Sequence, residues 1–436
     1  MNKLFNFRKE VKNITNRKVK PYIPDDMYNS TLIGTTSGRK KVFTEDDMKH
    51  AFICGTTGSG KTVAISNYIK SAIDKDYPLL IVDGKGDIGK DSILDIVQKM
   101  NEEHGNRKKV YVIDLNNPEH SAKYNPFKNA SPTTAKDMLI NLTEWSEEHY
   151  KLNTERYLQR LVKMLNALNT PLSFERVLKY IPSKKFTELS GLLLKTEMIT
   201  KEEHISNIEL VETAGTIAEN ASARFSTIFE SEVGEVFDDN GIDIYTALEE
   251  KAIIIFILNP LIYPEISPLM GRLVLTDSKK AVSKLFTKNN GRTFFIFDEI
   301  NVYACPTFLD LINKSRSANV TCILATQSLS DLDYAVGAAF KEQVIENCNN
   351  YIVLRQNSSV NAEHWAKILG TKSTLDVTYQ LQQKGLNTSE TGFGSARRVR
   401  EFFYHPDDIK ALKTGKGIFL SKDTGYHTKL NIYKAF

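Results

Sequence analysis

Short, continuously apolar runs recur along the chain, and between them apolar residues return every three or four positions. The runs are Ala51–Cys54, Leu79–Val82, Val110–Ile113, Ala252–Leu258, Thr293–Phe297, Val320–Ala325, Tyr351–Leu354 and Gly417–Leu420. A strand with one wet face alternates apolar and polar residues. These runs do not, so they predict strands covered on both faces, as in a parallel sheet. Alternation of such strands with helices predicts an α/β, doubly wound core.

The rhythm breaks between about Pro132 and Asp239. Leu158, Leu161, Val162, Leu165 and Leu168 recur at helical spacing, as do Ala214, Ile217, Ala218, Ala221, Phe225, Ile228 and Phe229. With no strong strand between them, the segment predicts an all-helical insertion between the third and fourth core strands. The stretch Gly370–Arg398, rich in Thr, Gln, Ser and Gly, predicts a mobile or ligand-gated loop.

Composition narrows the picture modestly. At 436 residues and 41% hydrophobic content, the chain can bury a large core with an insertion. A net charge of +4 does not mark a nucleic-acid binder, so any such contact needs a local basic surface. The local excess is Lys3, Arg8, Lys9, Lys12, Arg17, Lys18 and Lys20, read either as a solvated tail or as a contact with DNA, an anionic membrane surface or a partner. Cys54, Cys305, Cys322 and Cys348 form no CxxC pair, which excludes zinc spacing and fits a reducing cytoplasm. No apolar stretch approaches the length of a membrane span.

Chemistry enters with Gly55-Thr56-Thr57-Gly58-Ser59-Gly60-Lys61-Thr62, which follows an apolar run and precedes a helical stretch. The glycines let backbone N–H groups curl around phosphates, and the helix N-terminus adds positive potential. In this pattern Lys61 reaches the β- and γ-phosphates and the Thr62 hydroxyl ligates Mg²⁺. A second motif, Thr293–Glu299, ends an apolar strand in two carboxylates. Asp298 would hold Mg²⁺ through its water shell, and Glu299 would polarise the attacking water. Gln327 closes the run Val320–Gln327 and suits sensing of a γ-phosphate, because its amide both donates and accepts; the alternative is a cap for the next helix. Arg316 is either an ordinary surface arginine or a guanidinium completing a neighbour's site. Asp83 and Asp87, in the turn Asp83-Gly-Lys-Gly-Asp87, are either supporting carboxylates at the ligand crevice or part of a solvated glycine turn.

The order of these blocks resembles the coupling proteins of conjugation and type IV secretion, the TraD/TraG/TrwB group. The likeness extends to Val110-Tyr-Val-Ile-Asp114 with Tyr124-Asn-Pro-Phe127, Ser315–Val320, Ala325–Leu332, Ile345–Cys348 with Tyr351–Leu354, Phe403–Ile409 and Leu412–Gly417. It implies a RecA-like P-loop NTPase core with a mainly parallel sheet over residues 31–130 and 241–436, an inserted all-α domain over 131–240 and a basic tail over 1–30. It implies ATP and Mg²⁺ at the interfaces of a homo-hexamer, Arg316 as an arginine finger and Gln327 as γ-phosphate sensor. It also implies single- or double-stranded DNA, a relaxase or relaxosome and the secretion channel as partners. Members of the group usually carry two N-terminal transmembrane helices; the residues ahead of the phosphate loop contain no such segment, so the expectation is a cytoplasmic chain with at most peripheral membrane association. Two other readings stay open: a DNA pump of the FtsK/HerA type, and a nucleotide-gated cargo adaptor with little turnover.

Overall fold

The computed structural model describes Pro24 and residues 26–142, 145, 147–288, 291–384 and 387–436, with the backbone alone for 377–396. Lys3 to Lys20 of the expected basic tail lie outside the described residues. The strands are β1 (Ser30–Thr35), β2 (Lys41–Glu45), β3 (Ala51–Cys54), β4 (Leu79–Asp83), β5 (Val110–Asp114), β6 (Ile253–Ile257), β7 (Thr293–Asp298), β8 (Val320–Thr326), β9 (Asn350–Val353), β10 (Thr371–Lys384), β11 (Asn387–Phe402), β12 (Lys416–Ser421) and β13 (His427–Ile432). All but β10 and β11 join one sheet in the order β2-β1-β13-β12-β9-β3-β8-β7-β4-β6-β5. From β9 to β5 every pairing is parallel, and the four strands beyond β9 pair antiparallel.

Each continuously apolar run is a strand of this sheet, and β3, β4, β6, β7, β8 and β9 are buried at every position. Alternate residues feed two cores. Ile53, Ile81, Ile255 and Ile296 pack on one face, with Ala64 and Ile65 of α1 (Lys61–Asp74) and Ile96 of α2 (Ile93–Glu103). Phe52, Leu80, Ile254 and Phe297 pack on the other. Two buried faces remove the need for polar alternation.

Between β5 and β6 run α3 (Pro132–Ile140), α4 (Glu148–Ala167), α5 (Phe174–Tyr180), α6 (Ser183–Lys195) and α7 (Lys201–Phe229), then the short α8 (Ile244–Glu249). Helix α4 buries Leu158, Leu161, Val162 and Leu165; α7 buries Ala214, Ala218, Phe225 and Ile228. A reciprocal capping box, Thr200 with Glu203, opens α7 and satisfies two of its free N–H groups. The chain continues through α9 (Ile266–Leu285), α10 (Pro306–Ser315), α11 (Leu329–Ala335), α12 (Ala338–Glu346), α13 (Ser359–Leu369) and α14 (Pro406–Lys410).

The Tyr124–Phe127 stretch ties the two ends of the helical segment together. Asn125 Nδ2 donates to the carbonyls of Leu172 and Asp239, both at 3.0 Å, and Phe127 packs on Phe174 with ring centroids 4.8 Å apart. The Tyr124 hydroxyl donates to Asp277 at 2.8 Å. Asp277 belongs to a buried ion group: Lys280 Nζ lies 2.8 Å from Asp277 and from Asp243, and also donates to the carbonyls of Pro126 and Lys128. Burial works against the Lys280 charge, but Asp277 and Asp243 outweigh it and raise its pKa.

The expected loop over Gly370–Arg398 is corrected by the structure. Strands β10 and β11 form a long antiparallel hairpin, paired from Thr371↔Phe402 to Lys384↔Asn387 with one irregularity near Tyr379. Residues 371–376 are exposed or half-exposed. Leu375, Val377, Tyr379 and Leu381 alternate with polar residues, the period-two pattern of a strand, within a stretch whose Thr, Gln, Ser and Gly content otherwise suits a loop.

Removing the cation from the Lys280 group would leave two buried carboxylates unpaired. Lys280→Met is therefore expected to lower stability by about 3–5 kcal/mol, read as a fall in the urea midpoint. An unchanged midpoint would show that the group contributes no net stability.

Candidate functional site

The parallel strands end together at one edge of the sheet, and the loops leaving them build the site. Strand β3, central in the sheet, runs into Gly55–Gly60 and then α1. Gly58 and Gly60 have φ of 72° and 112°, a region that residues with a Cβ rarely enter. This lets consecutive N–H groups turn inward ahead of the α1 N-terminus. Ser59 is buried and its Oγ has no hydrogen-bond partner.

Beneath the loop lies a group of buried charges. Lys61 Nζ donates to the Gly55 carbonyl at 3.0 Å and pairs with Glu299 Oε1 at 3.1 Å. The other oxygen of Glu299, Oε2, is buried with no hydrogen-bond partner. Glu299 adopts φ 46° and ψ 53°, a left-handed conformation that costs a residue with a side chain on the order of 1–3 kcal/mol. The turn ends β7 and presents Glu299 to Lys61. Asp298 Oδ1 accepts the Glu299 N–H at 3.0 Å, and the Tyr303 hydroxyl holds the Asp298 carbonyl at 3.0 Å.

The register of β4 on β7 sets Asp83 directly opposite Asp298. Asp83 Oδ1 accepts the N–H groups of Lys85 and Gly86 at 2.9 and 3.2 Å, which closes the turn after β4. Glycine is required there: a Cβ on Gly86 would fall 1.8 Å from the Leu258 carbonyl oxygen, and one on Gly84 would fall 2.8 Å from those of Asp298 and Glu299. Of the two carboxylates expected at this turn, Asp83 is buried in the site, whereas Asp87 is exposed and paired with Lys85.

These carboxylates are poorly compensated. Burial, then the charges of Asp83 and Glu299, push Asp298 up to about 8 against the pull of Lys61. Burial pushes Asp83 up to about 6 against its two backbone hydrogen bonds. A divalent cation would relieve both, and the donor set fits Mg²⁺: one hydroxyl, Thr62, and one or two carboxylates, with water and phosphate completing the shell. Among the described residues, no group of three or more His, Cys, Asp or Glu side chains is arranged to hold a metal unaided.

Gln327, at the tip of β8, accepts through Oε1 from the Thr57 hydroxyl at 3.0 Å. The helix-capping alternative falls to Ser328, whose side chain caps α11. The structure thus brings Gly55–Thr62, Asp298, Glu299 and Gln327 around one cleft of ≈ 340 Å³. It does not bring Arg316 there. Arg316 is exposed at the opposite end of β8, on the side of His50, the residue before β3. Thr56, which accepts from Asn357 at 3.3 Å, lies within the phosphate-loop motif and Lys85 within the Asp83–Asp87 turn, whereas Asp91, Thr414, Lys434 and Phe436 line the cleft without having been assigned to it from the sequence.

The raised Asp298 pKa makes stability depend on pH. The folded protein keeps this proton up to about pH 8, while the unfolded chain releases it near the ordinary 3.8. The contribution is full below the lower value and lost as pH rises through the upper one. For protein free of nucleotide and kept in chelator, Asp298→Asn is expected to raise the melting temperature by a few degrees at about pH 9 and much less at about pH 5. Equal shifts at both values would show that Asp298 is already ionised in the fold.

Residues 292–414 match the family model of the TraM recognition site of TraD and TraG, and residues 41–251 match that of the central domain of the helicase HerA. An uncharacterized protein of Mycoplasma pneumoniae is 28% identical over 121 residues, 28% of this chain and 78% of that protein. Among solved structures, the unbound bacterial conjugative coupling protein TrwBdeltaN70 aligns with a TM-score of 0.65 at 15% identity, over 98% of this chain and 92% of that one. The plasmid coupling protein TrwB in complex with ADP and Mg²⁺ aligns at 0.64 and 16% identity with the same coverage. VirB4 of Thermoanaerobacter pseudethanolicus aligns at 0.58 and 12% identity, over 96% of this chain and 99% of that one. The fold is accordingly a RecA-like P-loop core. In motif order, matched segments and fold, the chain resembles the coupling proteins of conjugation and type IV secretion.

Proposed function

We propose that this chain is an ATP-hydrolysing motor of the coupling-protein type, working as an oligomeric ring that delivers DNA or a protein substrate to a type IV secretion channel. The observation that carries the reading is the buried Lys61, Asp298 and Glu299 group beneath a strand–loop–helix phosphate cradle, with one Glu299 oxygen left without a partner. A carboxylate at a cleft with one oxygen held by an ammonium and the other free of hydrogen bonds is suited to accept a proton from water. ATP and Mg²⁺ fit the cradle, and TrwB has been captured with ADPNP and with ADP and Mg²⁺.

The chain's own residues divide the work. The N–H groups of Gly58, Gly60, Lys61 and Thr62 and the Lys61 ammonium bind and neutralise phosphate, while those of Gly55, Thr56 and Ser59 donate to carbonyls that hold the loop. Thr62 and Asp298 would hold Mg²⁺, Asp298 through its water shell, and the ion would supply positive charge against the phosphates. Glu299 orients and deprotonates the attacking water, and Gln327, on Thr57, reads the far end of the phosphate chain. A phosphate entering the cradle competes with Glu299 for Lys61, which couples binding to release of the base. Arg316 sits too far along β8 to serve its own cleft, so in this reading it completes a neighbour's, which requires a ring.

The residue 31–130 and 241–436 core then acts as motor, and the helical residues 131–240 present a surface to cargo. The matched TraM recognition segment supports a relaxosome partner. No helix of the described residues is long and apolar enough to cross a membrane, and the peripheral association proposed here needs none. The match of residues 41–251 to the HerA central domain favours one second reading, a DNA pump outside secretion.

Lys61→Ala and Glu299→Gln are each expected to reduce ATP turnover by about a hundredfold or more with the fold retained by circular dichroism. Arg316→Ala is expected to cost about a thousandfold, yet mixing it with Lys61→Ala protein should restore turnover, because each supplies what the other lacks across an interface. Absence of such rescue would remove Arg316 from the site. Turnover unchanged by single- or double-stranded DNA, across salt and protein concentration, would sink the DNA-motor part.

A further inference from the structure

The cleft over the phosphate loop has two unlike ends. In the sheet order β13-β12-β9-β3-β8-β7, the phosphate loop on β3 has Asp298, Glu299 and Gln327 on one side, at the tips of β7 and β8. On the other side stand β12 and β13. Their register pairs Lys416 with Asn431, so the residues before β12 and after β13 emerge at the same sheet edge as the phosphate loop.

These residues are fixed against the loop. Gly415 N donates to the Ser59 carbonyl at 3.0 Å, and the Thr414 hydroxyl donates to that of Gly58 at 3.0 Å. Tyr433 N donates to the Ile33 carbonyl at 3.0 Å and Ile432 N to that of Gly415 at 2.9 Å. Phe436 is half-buried against the core beneath α1, lines the cleft beside Val63, and has the Lys434 ammonium 5.1 Å from its ring centre.

Phosphate-binding chemistry occupies the middle of the cleft and hydrolytic chemistry its β7–β8 end. A nucleotide laid with its last phosphate toward Glu299 directs its nucleoside toward β12 and β13. There it meets an apolar ring and a cation, the pair that suits a heteroaromatic base joined to an anionic chain. We propose that Phe436 stacks on the nucleobase and that Lys434 donates to the same nucleotide, so the segment after β13 is the nucleoside subsite. This deepens the hydrolase reading above and rests on it. Every base has a π-face, so such stacking supplies affinity without choosing the base.

The test is titration calorimetry in Mg²⁺ with three ligands: a non-hydrolysable ATP analogue, its GTP counterpart and inorganic tripolyphosphate. Phe436→Ala is expected to weaken both nucleotides on the order of tenfold, leave tripolyphosphate unchanged, and be rescued by Phe436→Tyr. A Phe436→Trp variant should show fluorescence quenching by the nucleotides and none by tripolyphosphate. Unchanged or tighter nucleotide binding by Phe436→Ala would overturn the proposal. So would equal weakening of all three ligands, which would mark Phe436 as support for the phosphate loop. If the unmodified protein bound tripolyphosphate but not nucleotide, only this subsite would fall; if it bound neither, the hydrolase reading would fall with it.

Discussion

One ammonium, Lys61, faces three buried carboxylates at the edge of the sheet, and the rest of the site follows from that imbalance. Asp83 and Asp298 sit opposite each other because β4 and β7 pair in register, and Glu299 follows Asp298 in sequence. Burying three carboxylates with one cation is unfavourable; it raises the pKa of Asp298 and of Asp83, and the surroundings must hold the arrangement in place. They do so with backbone: two N–H groups on Asp83, the Glu299 N–H on Asp298, and glycines that let the β4 turn lie against the carbonyls of Asp298, Glu299 and Leu258. The left-handed Glu299 is a further strain carried at the same point. A cleft built this way is short of positive charge, and binding of a cation with a phosphate chain is what its electrostatics favours.

What the sequence made legible divides along the same physical line. The strands of the parallel block were readable because burial on both faces demands unbroken apolar runs, and the phosphate loop because its glycines and Lys61 are spaced by local geometry. Asp298 and Glu299 were readable because two adjacent carboxylates at the tip of a buried strand are costly to desolvate unless a cation or a proton is handled there. The strands β1, β2 and β13 were not anticipated: β2 and β13 are short and partly polar, and β1 and β13 complete the antiparallel wing of the sheet. Thr414, Lys434 and Phe436 reach the cleft only through the β12–β13 pairing, which no local pattern announces. The β10–β11 hairpin read as a loop because its polar, Gly-containing composition masked the one strand signal it carries, the alternation of Leu375, Val377, Tyr379 and Leu381 in β10. Arg316 marks a different boundary. Exposed at the far end of β8, it would reach a nucleotide only in the proposed ring, and a single sequence or a single fold carries no direct record of a second copy.

Two buried lysines show how a structural charge differs from a functional one. Lys280 Nζ has two carboxylates and two carbonyls around it, and those carboxylates also take the Tyr124 hydroxyl and the N–H groups of Ile244 and Thr246. That group is nearly closed: Asp277 Oδ1 makes no hydrogen bond but lies 2.8 Å from the Lys280 ammonium, and the group lies where the helical segment leaves and rejoins the core. Lys61 has one carbonyl and one carboxylate oxygen, while Glu299 Oε2 and Ser59 Oγ nearby have no partner. Both lysines are buried, so burial alone would not separate them. What separates them is where the unmet atoms stand: Asp277 Oδ1 lies against the Lys280 ammonium, whereas Glu299 Oε2 and Ser59 Oγ have no partner, which is the kind of opening a ligand can complete.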